Sequence, residues 1–134
     1  MANYYGTGRS NYFDVTDQEA FAKFCERYEL EQLTPSHPPK SGSVGFATDT
    51  EDGNPASCHY DEEKDEFTDL PCWTEALAPI LAEGSVCVFE TAGHEKLRYV
   101  AGYAIALTRD GIQKRVSLDD IYDGLPEGTS QATY

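Results

Sequence analysis

Residues 11–30 read NYFDVTDQEAFAKFCERYEL, and this stretch decides the fold because a strand pattern gives way to a helix pattern within it. The first five residues, NYFDV, predict a short strand. Thr16 opens the motif TDQE, a capping box in which the Thr16 hydroxyl and the Glu19 carboxylate satisfy free amides of the first helical turn. Apolar side chains then recur at helical spacing, at Phe21, Phe24, Cys25 and Tyr28. A helix with such a stripe must pack against another element.

The segment after this helix predicts further strands. Residues 30–33 and 44–47 predict two strands on either side of a proline-rich loop at 34–43. The dipeptide Asp52-Gly53 predicts the tip of a hairpin. Residues 57–69 are too polar to belong to a core.

A second helix is predicted from residue 69 or 70 to about residue 82, because apolar residues again recur with a helical period. Pro71 suits the first turn of this helix, whereas Pro79 lies inside it. Since an internal proline costs a helix about 3 kcal/mol, a kink or a break is expected at 75–79.

The C-terminal part predicts three strands joined by turns, followed by a capped helix. In chain order these are a central strand at 85–91, a turn at 92–96, a long strand at 97–108, a tight turn at 109–111 and a hairpin partner at 112–116. The motif SLDD at 117–120 predicts the cap of a short helix that ends near Tyr122. Residues 124–134 are expected to form a flexible tail.

The resulting order, β-α-β-β-α-β-β-β, indicates an α+β protein in which two helices cover one face of a mostly antiparallel sheet. A ferredoxin-like βαββαβ core with an added C-terminal hairpin fits that order. The chain has 134 residues, which matches one domain because domains cluster at roughly 100–150 residues. A single domain over 1–123 is therefore expected.

The charge of the chain excludes several functions. It carries 24 Asp and Glu against 10 Lys and Arg, a formal net charge of −14. Such a surface repels phosphates, which argues against nonspecific binding to nucleic acid or to an anionic membrane. The longest apolar run, at 99–107, is far shorter than the ~20 residues that span a bilayer. Without a secretory signal or a CxxC pair, a cytoplasmic protein with free thiols is expected.

The acidic residues are concentrated in one segment. Between residues 49 and 69, nine acids stand against one base, Lys64, a net −8 over 21 residues. These nine, the candidate partner-binding residues, are Asp49, Glu51, Asp52, Asp61, Glu62, Glu63, Asp65, Glu66 and Asp69. Residues 96–115 have the opposite balance, with five bases and one acid.

This acidic segment allows four interpretations: a solvated loop, an adaptation to salt, a divalent-cation site or a mimic of nucleic acid. Crowded carboxylates repel one another, so a basic partner or a cation would offset a cost of folding. Carboxylates that alternate along a strand, or lie three to four apart on a helix, recur every ~6–7 Å. That spacing is close to the spacing of phosphates along one DNA strand, so such a face would fit a nucleic-acid channel.

The sequence contains no complete metal-binding or catalytic motif. An EF-hand needs glycine at its sixth position, whereas DTEDGN at 49–54 has glycine at its fifth. Cys58 and His59 are adjacent and lack the paired spacing of a zinc site. With Asp61 they are neighbours in sequence, whereas a catalytic triad needs groups that converge from different elements. No metal, cofactor or catalytic residue is expected.

Two alternatives to a mimic of nucleic acid remain open. The first is a small enzyme or ligand-binding module whose pocket lies between Trp73 and the sheet, lined by Tyr99, Tyr103, His94 and one acid. The second is a dimeric structural protein, in which acidity serves only solubility. Aromatic residues near the start of the chain would then pack on the sheet or form dimer contacts; they are Tyr4, Tyr5, Tyr12 and Phe13.

Two segments carry a resemblance. The segment NYF-x-V at 11–15 with its following helix, and AGHEKLRYV-x-GY at 92–103, resemble segments of small acidic proteins encoded by phages and other mobile elements. Such proteins are often similar to anti-CRISPR or antirestriction inhibitors that mimic DNA. The resemblance implies a basic nucleic-acid-binding partner in the host cell, such as a CRISPR effector or a restriction enzyme.

The stretch EKLRY at 95–99 departs from an acidic mimic because it is basic. It is expected to hold its hairpin together through cross-strand pairs, or to meet an acidic patch on a second copy.

Overall fold

The computed structural model describes residues 4–35, 43–96 and 98–132. The helices and strands are β1 (Tyr4–Ser10), β2 (Phe13–Asp14), α1 (Gln18–Arg27), β3 (Leu30–Leu33), β4 (Ser43–Thr48), β5 (Cys58–Asp61), β6 (Glu66–Asp69), α2 (Trp73–Leu77), β7 (Cys87–Glu95), β8 (Tyr99–Thr108) and β9 (Gly111–Ser117). Two 3₁₀ helices, Ala78–Ile80 and Leu118–Tyr122, complete the described secondary structure.

The main sheet has the strand order β2-β4-β1-β7-β8-β9, with β3 also paired to β4. All of its strand pairs are antiparallel, which confirms the predicted α+β class. The chain passes from β1 to β2 within two residues, and both strands pair with β4, so they act as one interrupted strand. This order is compatible with the ferredoxin-like core and added hairpin, which stay a prediction.

Both helices pack on one face of the main sheet. The stripe predicted for α1 is confirmed, because Phe21, Phe24 and Cys25 are buried together with Tyr28, which follows the helix. Trp73 and Leu77 of α2 belong to the same core cluster. Phe46 of β4 lies at its centre, with ring centroids 5.6–6.2 Å from four aromatic neighbours: Phe13, Phe24, Trp73 and Phe89.

The first helix begins one residue later than predicted. Asp17 is its N-cap, because the Asp17 carboxylate accepts hydrogen bonds from the amides of Glu19 and Ala20 at 2.9 and 3.2 Å. The Thr16 hydroxyl donates instead to the carbonyl of Ile80, and so does the Thr16 amide. The capping box predicted at Thr16 is therefore wrong, because that residue ties the start of α1 to the end of the second helical segment.

The second helix is shorter than predicted. It begins at Trp73, because residue 69 belongs to β6 and Pro71 precedes the helix. The break expected at 75–79 is confirmed, since the α-helix ends at Leu77 and a 3₁₀ helix, Ala78–Ile80, with Pro79 in its first turn, takes over.

Two predictions for the strands are wrong. The strand β1 was not predicted, because its sequence YYGTGRS contains two glycines that weaken a strand pattern. Residues 92–95 were predicted as a turn but extend β7 to Glu95. At Gly93 a Cβ would lie 2.4 Å from the Tyr5 carbonyl oxygen and 2.5 Å from the Tyr4 hydroxyl oxygen, so this glycine allows close contact with β1 instead of forming a turn.

The C-terminal end of the described chain is exposed. Ser117 and Asp120 cap the 3₁₀ helix Leu118–Tyr122 as predicted, since the Asp120 carboxylate accepts from the Ser117 amide at 2.7 Å. Residues 124–132 follow, and the Ala132 amide donates to the Tyr122 hydroxyl at 2.7 Å. No helix within residues 4–35, 43–96 and 98–132 is both long and apolar enough to cross a bilayer.

Candidate functional site

The acidic segment divides into a loop that lies on the main sheet and a hairpin that is separate from it. The loop at 49–57 holds Asp49, Glu51 and Asp52, whereas β5 and β6 form a two-stranded sheet of their own. The hairpin at 58–69, named here the acidic hairpin, holds Asp61, Glu62, Glu63, Asp65, Glu66 and Asp69. Eight of the nine candidate carboxylates are exposed, and Asp61 is half-buried.

The loop packs closely on β1. The Gly6 amide donates to the Glu51 carbonyl at 2.9 Å, and the Thr91 hydroxyl donates to the Gly53 carbonyl at 2.8 Å. A Cβ at Gly8 would lie 2.4 Å from that same carbonyl oxygen. The two glycines of β1 therefore make room for the loop. The hairpin tip predicted at Asp52-Gly53 is wrong, because these residues lie against β1 instead of between two paired strands.

Asp52 stabilises its own loop. Its carboxylate accepts hydrogen bonds from the Thr50 hydroxyl at 3.1 Å and from the Asn54 amide at 2.9 Å. The Asn54 side-chain carbonyl in turn accepts from the Tyr103 hydroxyl at 2.6 Å. Burial raises the pKa of Tyr4, and the charge of Asp52 raises it further. The position of Asp52 is thus explained by contacts inside the chain.

The acidic hairpin has two different faces. Tyr60 pairs with Phe67, and Asp61 pairs with Glu66. Cross-strand partners share a face and neighbouring pairs alternate, so the aromatic pair lies on one face and the carboxylate pair on the other. The Tyr60 and Phe67 rings lie 5.2 Å apart, and Phe67 is 71% exposed. The aromatic pair was not predicted. An aromatic residue stands next to an acidic one in Tyr60-Asp61 and again in Glu66-Phe67, and this alternation could have indicated it.

The turn of the acidic hairpin is held by its own side chains. The Asp61 carboxylate accepts hydrogen bonds from the amides of Glu63 and Lys64 at 3.0 and 3.3 Å. Asp65 has a left-handed backbone with φ 51°, a conformation that Asp adopts more readily than most residues. The Tyr60 hydroxyl donates to the Asp65 carboxylate, and this bond raises the pKa of Tyr60. The turn thus forms without help from the core.

The carboxylates do not form the regular ladder that a strand could carry. The strand β5 holds one acid, and the two acids of β6, Glu66 and Asp69, lie on opposite faces because they are three residues apart. The strands of the hairpin therefore carry no phosphate-like row of carboxylates, and the charge gathers at the tip. Among the described residues, none of the nine carboxylates forms an ion pair.

Comparison with known proteins finds no match to this chain among family models, curated proteins or solved structures.

The basic residues at 96–115 are divided between the two ends of β8. Arg98 forms an ion pair with Glu95 at 3.5 Å, next to the register pair of Glu95 and Tyr99. The hydrogen bond from Tyr99 to Glu95 raises the pKa of Tyr99. Within EKLRY, Glu95 and Tyr99 thus form a cross-strand pair, whereas the ion pair of Arg98 with Glu95 lies within the turn. Near the opposite end, the Arg115 guanidinium lies 5.0 Å from the centre of the Tyr103 ring.

The pocket predicted between Trp73 and the sheet is not formed from the expected residues. The Trp73 and Phe89 rings pack directly on each other with their centroids 5.1 Å apart, and the Phe89 and Tyr103 ring centroids are 6.2 Å apart. His94 lies three residues along β7 from Thr91, the register partner of Tyr103, so it projects from the opposite face of the sheet. In the part of the chain that the structure describes, no three or more metal-ligating side chains converge.

Proposed function

We propose that this chain is a binding protein whose acidic hairpin occupies the nucleic-acid channel of a basic partner. One observation carries the proposal: the hairpin displays six carboxylates without an ion pair among the described residues, and it buries none of its side chains. An element that adds charge repulsion and buries no side chain contributes little to the stability of the fold. Contact with a partner accounts for its presence.

The surface of the hairpin suits a charged interface. Binding energy in protein interfaces comes mainly from a few aromatic and charged anchors, and complementary charge sets the rate of association. Tyr60 and Phe67 supply exposed aromatic area, and the carboxylates at the tip supply the charge. Because the charges gather at a tip, the hairpin would enter a basic channel end-on instead of lying along it as a strand of phosphates does.

The class of partner follows from the resemblance to proteins of mobile elements. A CRISPR effector or a restriction enzyme of the host has a basic channel that binds DNA, and a carboxylate-rich tip would compete with DNA for it. Such competition would be fast at low salt and would weaken as salt screens the charges.

The test compares two variants with the same change in charge. The first carries Glu62→Lys, Glu63→Lys and Glu66→Lys, and it keeps Asp61 and Asp65 because these residues hold the turn. The control carries Glu26→Lys, Glu31→Lys and Glu127→Lys, which are exposed residues outside the acidic segment. Each immobilised protein is used to capture host proteins at about 0.05 M and about 0.5 M salt. Bound proteins are identified and then challenged with duplex DNA.

The native chain and the control are expected to capture a nucleic-acid-binding protein that duplex DNA or high salt releases. The hairpin variant should bind this protein at least about tenfold more weakly, equivalent to about 1.4 kcal/mol. Equal capture by all three proteins, or a captured protein that DNA does not displace, would contradict the proposal.

A further inference from the structure

The face of the main sheet opposite α1 and α2 is uncovered. This outer face consists of the outward-pointing residues of β1, β7, β8 and β9. Its central row contains Arg9, Glu90, Ala104 and Val116, which are successive register partners across the four strands. Their neighbours in sequence, such as Phe89 and Ile105, are buried on the helix side. The alternation of side chains along a strand therefore fixes which residues form the outer face.

A shallow and largely apolar groove lies on the outer face, with Glu90 at its edge. Small residues, Ala92, Gly102 and Ala104, line a groove of about 230 Å³. Val116 and Leu118 border it, and these side chains are 45% and 53% exposed. Leu118 reaches over Gly102 from the C-terminal 3₁₀ helix, with its Cδ1 atom 3.4 Å from where a Cβ would stand. No residue of the described tail, 124–132, lines the groove.

The outer face is also nearly neutral in a strongly acidic chain. Its described charged residues are Arg9, Glu90 and Lys114, a net charge of +1 against −14 for the whole chain. Arg9 and Glu90 are register partners, yet they form no ion pair with each other, and the Arg9 guanidinium lies 5.7 Å from the Tyr12 ring. Two copies of this chain that meet through this face therefore bring few like charges together.

The size of the outer face matches a small dimer interface. Four strands about 4.8 Å apart and four rows about 6.6 Å apart give roughly 19 by 26 Å, or about 500 Å². A specific interface needs about 1,000 Å² counted over both partners. Two outer faces therefore reach about this area before the exposed side chain of Leu118 is added.

We infer that the outer face of one copy packs against the outer face of a second copy in a symmetric dimer. A two-fold arrangement buries the groove and its border in both copies at once, as two sheets do in a sandwich. The inference does not depend on the proposed function, because the acidic hairpin lies outside this face. Dimerisation should strengthen with salt, which screens the repulsion of two acidic chains, whereas capture of a basic partner should weaken.

The test measures mass by sedimentation over a range of concentrations. The variants Ala104→Glu and Val116→Glu each place a carboxylate on the outer face, and Thr68→Glu places one on the acidic hairpin as the matched control. The native chain and the control are expected to form dimers. Each outer-face variant should raise the dimer dissociation constant at least about tenfold, equivalent to about 1.4 kcal/mol. A native chain that stays monomeric, or variants that dimerise as well as the control, would overturn the inference.

A second measurement needs no variant and decides the matter if an outer-face variant does not fold. Carbodiimide labelling of carboxylates in the native chain is compared between dilute and concentrated samples. Glu90 should be protected in the concentrated sample, with Glu62 of the hairpin equally labelled in both. Equal labelling of Glu90 at both concentrations would exclude the dimer.

Discussion

At the scale of single residues, small groups determine how the strands of the sheet meet. The strands β1 and β4 share one backbone register pair, Arg9 with Ala47. Hydroxyl groups join them on either side: Ser10 accepts from the Phe46 amide at 2.9 Å, and Thr48 accepts from the Gly8 amide at 3.0 Å. Glycine then lets the loop at 49–57 lie on β1.

Replacing Gly53 should separate the cost of a strained backbone from the cost of a collision. Gly53 has φ 77°, and a Cβ there would lie 2.5 Å from the Thr7 amide nitrogen. Gly84 has φ 79° but nothing within 4 Å. Gly84→Ala should therefore cost about 1–2 kcal/mol in unfolding free energy, the cost of a left-handed backbone. Gly53→Ala should cost about 1–3 kcal/mol more, the cost of overpacking. Urea unfolding measures the stability of both variants. Equal losses of unfolding free energy would show that the loop at 49–57 can move away from β1.

The four cysteines should differ in reactivity. All four are free thiols, and burial raises the pKa of Cys25 and of Cys87 to about 12. A thiol-specific reagent at about pH 8 should therefore label exposed Cys72 first, and Cys25 and Cys87 only after unfolding, because the thiolate is the reactive form. The variant Cys72→Ser provides the control, since it removes the fast phase alone. Rapid labelling of Cys87 in the folded protein would contradict this prediction.

The thiols of Cys25 and Cys87 also make the stability of the fold depend on pH. Their pKa values rise from 9.0 in an exposed thiol to about 12, so folding favours the protonated form. The stability that this form contributes is complete below about pH 9 and is lost as pH rises towards 12.

At the scale of elements, the sequence predicts those whose signal is local. The helix α1 was predicted because its stripe and its first turn lie within one stretch, and the end of α2 was predicted from Pro79. The strand β1 could not be predicted, since its glycines are explained only by a loop some 45 residues away. Both strands of the acidic hairpin were missed, because neither buries a side chain and each carries only one large apolar residue, Tyr60 or Phe67, in a mostly polar segment.

The position of the first helix cap is open to a direct test. Asp17→Ala should lower the unfolding free energy by about 1 kcal/mol, because two amides of α1 lose their acceptor. Asp17→Asn should retain most of this stability, since asparagine is an equally good N-cap. Urea unfolding of both variants makes the comparison. A loss as large for Asn as for Ala would show that the charge of Asp17, and not its hydrogen bonds, is important.

At the scale of the whole molecule, charged residues are distributed unevenly over the surface. The helix side of the main sheet holds the core, the outer face is nearly neutral, and the acidic hairpin concentrates carboxylates away from both. The sequence predicted that the segment holding the nine acidic residues lies outside the core, and eight of these residues are exposed. It could not predict that Asp52 and Asp61 accept hydrogen bonds within the chain, because those partners depend on how the loop and the turn fold.

Repulsion among the carboxylates should appear in the salt dependence of stability. Raising salt from about 0.01 M to about 1 M shortens the Debye length from about 30 Å to about 3 Å. The thermal midpoint should rise, by several degrees for each gain of about 1 kcal/mol. A variant with Glu62→Gln, Glu63→Gln and Glu66→Gln should have a higher thermal midpoint at low salt, and its midpoint should rise less as salt is added. Scanning calorimetry makes the comparison, and a midpoint that does not rise with salt would refute the repulsion.

The self-contained turn of the acidic hairpin has a consequence for how this protein can change. Among the described strands, its two strands pair only with each other, and the Leu70 amide fixes its base by donating to the Ser57 carbonyl at 2.9 Å. Residues between these points can therefore be exchanged as a cassette while the scaffold beneath them stays intact. A library randomised at the tip would select new specificities on an unchanged domain, and natural drift can explore the same positions at little structural risk.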